Sequence, residues 1–298
     1  MSRPLIECVP NFSEGRDPTV IARLVNAISG VTGAAVLHHT SDPDHNRTVI
    51  TFAGEPGPVT EAAFRAIECA AASIDMTRQH GVHPRIGAAD VVPLIPVSGI
   101  TLEECASLAA QLGERVWREL HVPVYLYEAA ARRPERVNLA NIRRGRFEIL
   151  RDEVRWNADR RPDFGDAALH RTAGACVIGA RKFLIAFNID LDTPDVAIAR
   201  RIARKIRFSS GGLACVKALG LFLESRGLAQ VSINLTDFEV TPLCRVIDAV
   251  RVEADAHRVG IAGAELIGLI PLKAVESAGG CDLPFSGFHP LRILENNL

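Results

Sequence analysis

The 298-residue chain has no excess of either charge, no long apolar run and no paired cysteine motif. Lysine and arginine total 34 and aspartate and glutamate total 35, which gives a formal net charge of −1. Proteins that bind the phosphate backbone of nucleic acids need a basic surface. The charge balance therefore argues against a nucleic-acid partner, although it is compatible with a local basic pocket for a small acidic ligand.

Long apolar segments are also absent from the sequence. No stretch approaches the roughly 20 apolar residues that a membrane-spanning helix requires, and residues 1–8 lack the apolar region of a signal peptide. The seven cysteines are dispersed, without C-x-x-C spacing. Such a set is typical of reduced cytosolic thiols rather than of a disulfide or zinc framework. We therefore predict a cytoplasmic protein with no membrane partner.

The apolar pattern predicts the order β-α-β-β-α-β in each half of the chain, with an extra helix and strand in the first half. This order is that of a ferredoxin-like sandwich, an antiparallel sheet with helices on one face. The predicted fold is α/β (α+β), with two ferredoxin-like βαββαβ subdomains at residues 1–178 and 179–298. A ligand cleft is expected between the subdomains, because ligands favour such places.

Several segment assignments depend on turn chemistry and proline. Asp17-Pro18 and Thr101 each predict a helix start, the latter for a helix over residues 101–120. The two prolines in residues 90–97 predict an edge strand or a bulge. The remaining predictions are one strand with an interruption over residues 176–190, a strand over residues 266–272, and a long connector or crossing segment over residues 129–173.

The most distinctive segment is the polar, glycine-rich stretch of residues 75–90, between a predicted helix and an apolar strand. Pro84 restricts His83 to an extended backbone, which limits where its imidazole can point. A histidine that titrates near pH 7 can take and return a proton within one turnover. His83 is therefore a candidate acid/base, and the alternative is that it merely hydrogen-bonds the loop.

Other polar residues suggest ligand contacts less specifically. Guanidinium and ammonium groups suit carboxylates, and four such side chains near element edges are candidates for a substrate carboxylate: Arg47, Arg85, Arg181 and Lys182. For any one of them, ordinary surface charge is the alternative. His38, His39 and His45 have loosely ligand-like spacing, but adjacent strand residues point to opposite faces. We predict no metal, and no glycine pattern indicates a nucleotide cofactor.

Eight segments, in order along nearly the whole chain, resemble the formiminotransferase domain family. They are ECVPNFSEG at residues 7–15, NRTV at 46–49, HPRIGA at 83–88, VPVYLY at 122–127, PDFG at 162–165, GARKFLIAFN at 179–188, QVSIN at 230–234 and GLIPL at 268–272. Several of these blocks are long enough to be specific.

The resemblance implies a folate enzyme of histidine degradation that moves the formimino group of N-formimino-L-glutamate to tetrahydrofolate. It implies tetrahydrofolate as co-substrate, small-molecule substrates and a homodimer. The family's catalytic acid/base is the histidine of the H-P-R block, which is His83 here. The family's folate-contacting segment follows P-D-F-G and falls on Gly165, Asp166, Ala167, Ala168, Leu169, His170, Arg171, Thr172, Ala173 and Gly174.

Larger animal members of that family carry an additional cyclodeaminase domain. This chain ends too early to hold one, so a separate cyclodeaminase is expected to act on the product. Two positions depart from the family pattern. Val82 stands where Glu is usual, and His39-Thr40 stand where many members carry an acidic residue. The alternatives are therefore a transferase with a different amidine or formyl donor, or a non-catalytic folate-binding homologue.

Overall fold

A computed structural model describes residues 3–278, residue 285 and residues 288–298. Internal contacts divide the chain into two units, Met1–Arg181 and Lys182–Leu298. This division falls three residues after the limit suggested by the sequence. The reason is that the strand Cys176–Ala180 pairs within the first sheet and therefore belongs wholly to the first unit.

The first unit alternates strands and helices before a partly helical crossing segment. Its elements are β1 Leu5–Cys8, β2 Asn11–Phe12, α1 Pro18–Ser29, β3 Ala34–Asp42, β4 Arg47–Gly54, α2 Pro56–Ser73, β5 Ala89–Ser98, α3 Leu102–Leu120, β6 Val124–Glu128, α4 Leu139–Ile142, α5 Arg146–Trp156 and β7 Cys176–Ala180. Both helix starts predicted from Asp17-Pro18 and Thr101 are confirmed. Asp17 accepts from the amides of Thr19 and Val20, and Thr101 forms a capping box with Glu104.

The first sheet is a ferredoxin-like sheet extended by two parallel strands. β1 and β2 lie between β4 and β5, β3 pairs with the far side of β4, and all these pairings are antiparallel. β7 then pairs parallel with both β5 and β6. A cluster of buried apolar side chains lies between one face of the sheet and helices α1, α2 and α3. The opposite face carries a smaller cluster with α4 and α5.

The second unit has the predicted order β-α-β-β-α-β. Its elements are β8 Ile185–Leu191, α6 Val196–Ile206, β9 Val216–Leu223, β10 Leu228–Leu235, α7 Leu243–Ala256, β11 Ile261–Ile267 and α8 Leu272–Ser277. The strands form an antiparallel sheet in the order β11-β8-β10-β9. The ferredoxin-like prediction is thus confirmed in both units, with the parallel extension in the first.

Several segment predictions were wrong, at least in part. Residues 176–190 form two strands, β7 and β8, one in each unit, and residues 129–173 contain α4 and α5. The last strand ends at Ile267, so residues 266–272 are mostly outside it. The strand of residues 90–97 is part of β5, which lies inside the sheet rather than at its edge.

Strand β5 tolerates its prolines because the neighbouring ladder is broken beside them. Pro93 lies opposite the break between β1 and β2, and Pro96 lies next to a register shift where Leu5 pairs with Ser98 and Ile6 with Pro96. A proline lacks the N–H that an unbroken ladder would require. The bulge part of the prediction is therefore correct.

The cysteines follow the sequence interpretation only in part. Five of them, at positions 8, 69, 105, 176 and 215, are free thiols. Cys244 is disulfide-bonded, contrary to the expectation of reduced cysteines throughout. Cys281 lies outside the described residues.

Candidate active site

The loop that carries His83 lies against the turn between β3 and β4. The Val82 amide donates to the Asp44 carbonyl at 3.2 Å. A Cβ atom on Gly81 would lie 2.2 Å from the carbonyl oxygen of His45, so the close approach requires glycine at this position. The glycine-rich composition thus allows two loops to pack closely, and the contact brings His83 beside the first residue of β4.

His83 is buried and has a defined tautomer. Its Nδ1 lies 2.9 Å from the Pro84 carbonyl oxygen, and its Nε2 lies 2.8 Å from Nη1 of Arg47. A carbonyl oxygen can only accept and a guanidinium can only donate. Nδ1 therefore carries the hydrogen, and Nε2 presents its lone pair as the basic atom of a neutral imidazole.

The surroundings of His83 keep its imidazole neutral. Burial lowers the pKa of His83 well below its usual value, and the positive charges of Arg47 and Arg143 lower this pKa further. The ring of His45 stacks on His83 with 5.8 Å between ring centroids. The imidazole is therefore unprotonated at neutral pH, and its Nε2 lone pair is occupied by the contact with Arg47.

Arg47 is itself perturbed by the same pocket. Burial and the nearby charge of Arg143 lower the pKa of Arg47 to about 9, while Asp90 and Asp42 act in the opposite direction. The guanidinium is still charged at neutral pH, and its Nε has no hydrogen-bond partner among the described residues. Arg47 can therefore form further hydrogen bonds with an anionic ligand.

Asp90 organises the loop below His83. The residue lies at a bulge in β5, since Asn11 pairs with Val91 and Phe12 with Ala89. Its Oδ1 accepts from the Ile86 amide at 2.7 Å, and its Oδ2 is ion-paired with Arg143. The bulge thus turns a carboxylate toward the pocket, where it holds both the loop and a nearby arginine.

These groups line a small pocket. Its empty space is about 200 Å³ when the open mouth is included. It is lined by Asn11, Phe12, Ser13, His45, Asn46, Arg47, His83, Arg85 and Asp90. The sequence prediction had selected three of these residues as site candidates, namely His83, Arg47 and Arg85. It missed Asn11 and Asp90, because a single asparagine or aspartate side chain on a strand does not stand out in one sequence.

Arg85 lines the pocket but is engaged by protein groups. Its guanidinium donates to the Gln79 carbonyl and lies 3.2 Å from Glu148 Oε1, and its carbonyl accepts from the Phe147 amide at 2.9 Å. These contacts tie the His83 loop to helix α5. The Nε of Arg85 has no hydrogen-bond partner among the described residues, so its assignment to a substrate carboxylate stays a prediction.

The two other cationic candidates do not line this pocket. Arg181 follows β7, where its amide donates to the Leu94 carbonyl at 3.1 Å and its side chain hydrogen-bonds Tyr127. Lys182 belongs to the second unit, and its Nζ is ion-paired with Asp237 at 2.9 Å. Their assignment as ligands for a substrate carboxylate stays a prediction.

The candidate folate segment, residues 165–174, ends directly against the His83 block. The Ala88 amide donates to the Ala173 carbonyl at 2.8 Å, and the Ala175 amide donates to the Ile86 carbonyl at 3.1 Å. Gly174 has a positive φ of +71°, and a Cβ atom there would lie 2.3 Å from the Ile86 oxygen. The structure thus brings together two segments that are about 90 residues apart in the sequence.

A buried ion pair anchors the beginning of the same segment. Asp163, from the P-D-F-G block, is ion-paired with Arg136 and accepts from the Leu126 amide at 2.8 Å. Both charged side chains are nearly inaccessible, at 3% and 4% exposure for Arg136 and Asp163. The aspartate of this block therefore has a structural role.

Within the described residues, no group of three or more histidine, cysteine or acidic side chains is arranged to hold a metal ion. The same part of the chain contains no helix that is both long and apolar enough to cross a membrane.

Comparison with known proteins assigns the chain to a family. The N-terminal subdomain model of the formiminotransferase domain matches residues 5–181, and a second formiminotransferase domain model matches residues 186–282. Glutamate formimidoyltransferase from Streptococcus pyogenes is 44% identical over 99% of this chain and 98% of its own length. The Thermoplasma acidophilum protein of the same name is also 44% identical, over 99% and 97%.

Bifunctional relatives match in the same way. The formimidoyltransferase-cyclodeaminase of Mus musculus is 44% identical over 99% of this chain, which spans 56% of that longer protein. Two family models cover almost the whole chain, and full-length relatives share nearly half of its residues. The chain therefore belongs to the formiminotransferase domain family.

Proposed function

We propose that this chain is a glutamate formimidoyltransferase, which moves the formimino group of N-formimino-L-glutamate to tetrahydrofolate. The relatives of that name match along their full length at 44% identity. The observation that carries the mechanism is the buried, neutral imidazole of His83, whose basic Nε2 faces the pocket beside Arg47. The products are 5-formimidoyltetrahydrofolate and L-glutamate.

His83 acts as the proton shuttle of this transfer. The N5 amine of tetrahydrofolate attacks the formimino carbon, which forms a carbon–nitrogen bond and a tetrahedral intermediate. His83 Nε2 takes the proton from N5 and then gives it to the glutamate nitrogen as the second carbon–nitrogen bond breaks. The reaction consumes no net proton, so a single neutral histidine is sufficient.

Arg47 must release Nε2 before His83 can act as a base. A carboxylate of the donor offers two oxygens to the guanidinium fork, which is a stronger match than one imidazole nitrogen. The Nε of Arg47, which no described residue contacts by a hydrogen bond, favours such a contact. In this account, binding of the donor draws Arg47 away from His83 and frees the base.

Tetrahydrofolate is assigned to the region around residues 165–174. Support comes from the backbone hydrogen bonds that join the end of this segment to residues 86–88. A folate held there would have its reactive amine near His83, and binding of both substrates at one site would supply a proximity effect of several kcal/mol. A homodimer, a cytoplasmic location and a separate cyclodeaminase that consumes the product complete the proposal.

A different donor is the second candidate, favoured by the absence of a carboxylate at Val82 and Thr40. The test is to incubate the chain and tetrahydrofolate with N-formimino-L-glutamate or with N-formyl-L-glutamate and to measure glutamate release and the folate product. Turnover with a strong preference for the formimino compound supports the proposal. Preference for the formyl compound would assign the other donor, and folate binding without turnover of either would assign a binding protein.

A further inference from the structure

Asn11 is placed at the pocket by the arrangement of strands. It lies on β2, between Val49 of β4 and Val91 of β5, and its neighbour Phe12 points into the core. Alternate strand residues share a face. Asn11 therefore lies on the side of the sheet opposite helices α1–α3, and its side chain lines the pocket with Arg47 and His83.

The orientation of the Asn11 amide is set by the backbone. Its Nδ2 donates to the Val9 carbonyl at 2.9 Å. A rotated amide would place two carbonyl oxygens at that distance, which is unfavourable, so the assignment of nitrogen and oxygen follows from the contact. The Oδ1 atom is left buried and without a hydrogen-bond partner in the part of the chain that the structure describes, and the residue is only 6% exposed.

This oxygen has no counterpart among the side chains that line the pocket. Arg47 and Arg85 can only donate, and both oxygens of Asp90 are engaged, by the Ile86 amide and by Arg143. Among the described pocket-lining residues, Asn11 provides the one buried side-chain oxygen that lacks a partner. Buried acceptors without a partner are rare in folded proteins, and one in a pocket is available to a ligand that brings a donor.

We propose that Asn11 Oδ1 accepts a hydrogen bond from the formimino nitrogen of the donor and thereby determines the preference for an amidine over a formyl group. This inference rests on the proposed function. The formimino nitrogen carries at least one N–H in either protonation state, whereas a formyl group presents an oxygen that can only accept. With a formyl compound, Asn11 Oδ1 would face the formyl oxygen, and neither atom has a hydrogen to donate. Such a mismatch lowers the affinity strongly.

The test compares the dissociation constants of N-formimino-L-glutamate and N-formyl-L-glutamate for the wild type, Asn11→Ala and Asn11→Leu. We expect affinity for the formimino compound to fall at least about tenfold in both variants. Affinity for the formyl compound should stay constant or rise. The ratio of the two constants is the decisive readout, because general damage to the site lowers both affinities together.

Thr51→Val is the matched control, because Thr51 on β4 also has a buried oxygen without a hydrogen-bond partner among residues 3–278, 285 and 288–298, but does not line the pocket. Its preference ratio should equal that of the wild type. A folded Asn11 variant that keeps the wild-type ratio would overturn the inference while leaving the proposed function intact. A wild type that binds the formyl compound more tightly, or binds neither compound, would overturn both.

A measurement on the wild type covers the case in which the Asn11 variants do not fold. The carbonyl carbon of the Asn11 side chain, labelled with ¹³C, should shift on addition of N-formimino-L-glutamate, because its oxygen gains a donor. Saturation with N-formyl-L-glutamate should produce a clearly smaller shift. Equal shifts with the two compounds would contradict the proposed contact.

Discussion

Nη1 of Arg47 lies 2.8 Å from Nε2 of His83, the nitrogen that would have to accept a proton during transfer. The guanidinium holds the imidazole in one tautomer together with the Pro84 carbonyl, and its charge lowers the pKa of His83. The same contact occupies the basic atom. Arg47 is therefore both an orienting group for the unliganded site and an obstacle that ligand binding must remove.

Substitution of Arg47→Gln should raise the pKa of His83, because it removes a nearby positive charge that disfavours the imidazolium. The measurement is an NMR titration of ¹³C- or ¹⁵N-labelled histidine in the wild type and the variant. The wild-type His83 should still be neutral at pH 6, where an ordinary histidine with a pKa of about 6.5 is mostly protonated.

The matched control for this titration is Arg146→Gln. Arg146 donates to the Val82 carbonyl at 3.2 Å, next to His83, but it is exposed and is not among the charges that shift the His83 pKa. The control should leave the pKa unchanged. An equal shift in the two variants would show that the specific contact with Arg47 is not the cause.

The buried neutral state of His83 should make the protein less stable in mild acid. The folded-state pKa is lowered, so below about pH 6.5 the unfolded chain binds a proton that the native protein does not. Above that pH, His83 adds no pH dependence to the free energy of unfolding. Below it, the free energy of unfolding decreases until the pH reaches the folded-state pKa of His83. Between pH 7.5 and 5.5, the wild type should lose about 1 kcal/mol more free energy of unfolding than His83→Asn.

Urea unfolding at the two pH values provides this comparison, with each protein measured against itself at pH 7.5. If wild type and His83→Asn lose the same free energy of unfolding, His83 is not held neutral in the folded protein. That result would also weaken its assignment as a base.

Replacement of Gly174 by alanine should separate the candidate folate segment from the His83 block. The new Cβ would lie 2.3 Å from the Ile86 carbonyl oxygen, at a φ of +71° that already disfavours alanine. We expect a loss of about 2–4 kcal/mol in the free energy of unfolding, and weaker folate binding.

Gly227→Ala is the control for backbone strain alone. Gly227 has a similar φ of +64°, but no atom of the described residues lies within 4 Å of its potential Cβ. Its cost should be close to about 1 kcal/mol, with folate binding unaffected. Similar costs and similar folate affinity in the two variants would contradict the importance of the contact with residues 86–88.

The ion pair between Asp163 and Arg136 should be important for stability, because both charges are buried. Asp163→Ala leaves the Arg136 charge without its partner and should cost about 3–5 kcal/mol of unfolding free energy. Glu68→Ala removes one partner of an exposed pair, Arg65–Glu68, and should leave stability nearly unchanged. Thermal or urea unfolding measures both variants against the wild type. A loss for Asp163→Ala as small as that for Glu68→Ala would show that the buried ion pair is not needed for stability.

Element order and one catalytic candidate could be predicted from the sequence, because they depend on local patterns. The apolar pattern predicts the order of helices and strands along the second unit, and Pro84 singles out His83 as a restrained histidine. The interior position of β5 could not be predicted, because its prolines are compatible with the sheet only where β1 and β2 are interrupted. That interruption is a tertiary feature.

The candidate site also has features that could not be predicted from the sequence. Arg47 and His83 were both selected from the sequence, but nothing in it indicated their direct contact across 36 positions. The availability of Asn11 depends on the Val9 carbonyl and the register of three strands. Such features follow from how segments meet in space, and a single sequence does not display them.

The most direct test of the account is the turnover of N-formimino-L-glutamate with tetrahydrofolate by the wild type, His83→Ala and His80→Ala. His80 lies in the same loop but is exposed, so it serves as the matched histidine control. We predict that His83→Ala loses about 10²–10⁴-fold in kcat while it still binds folate, and that His80→Ala resembles the wild type. A His83→Ala variant with near-wild-type turnover would contradict the central claim that this histidine moves the proton.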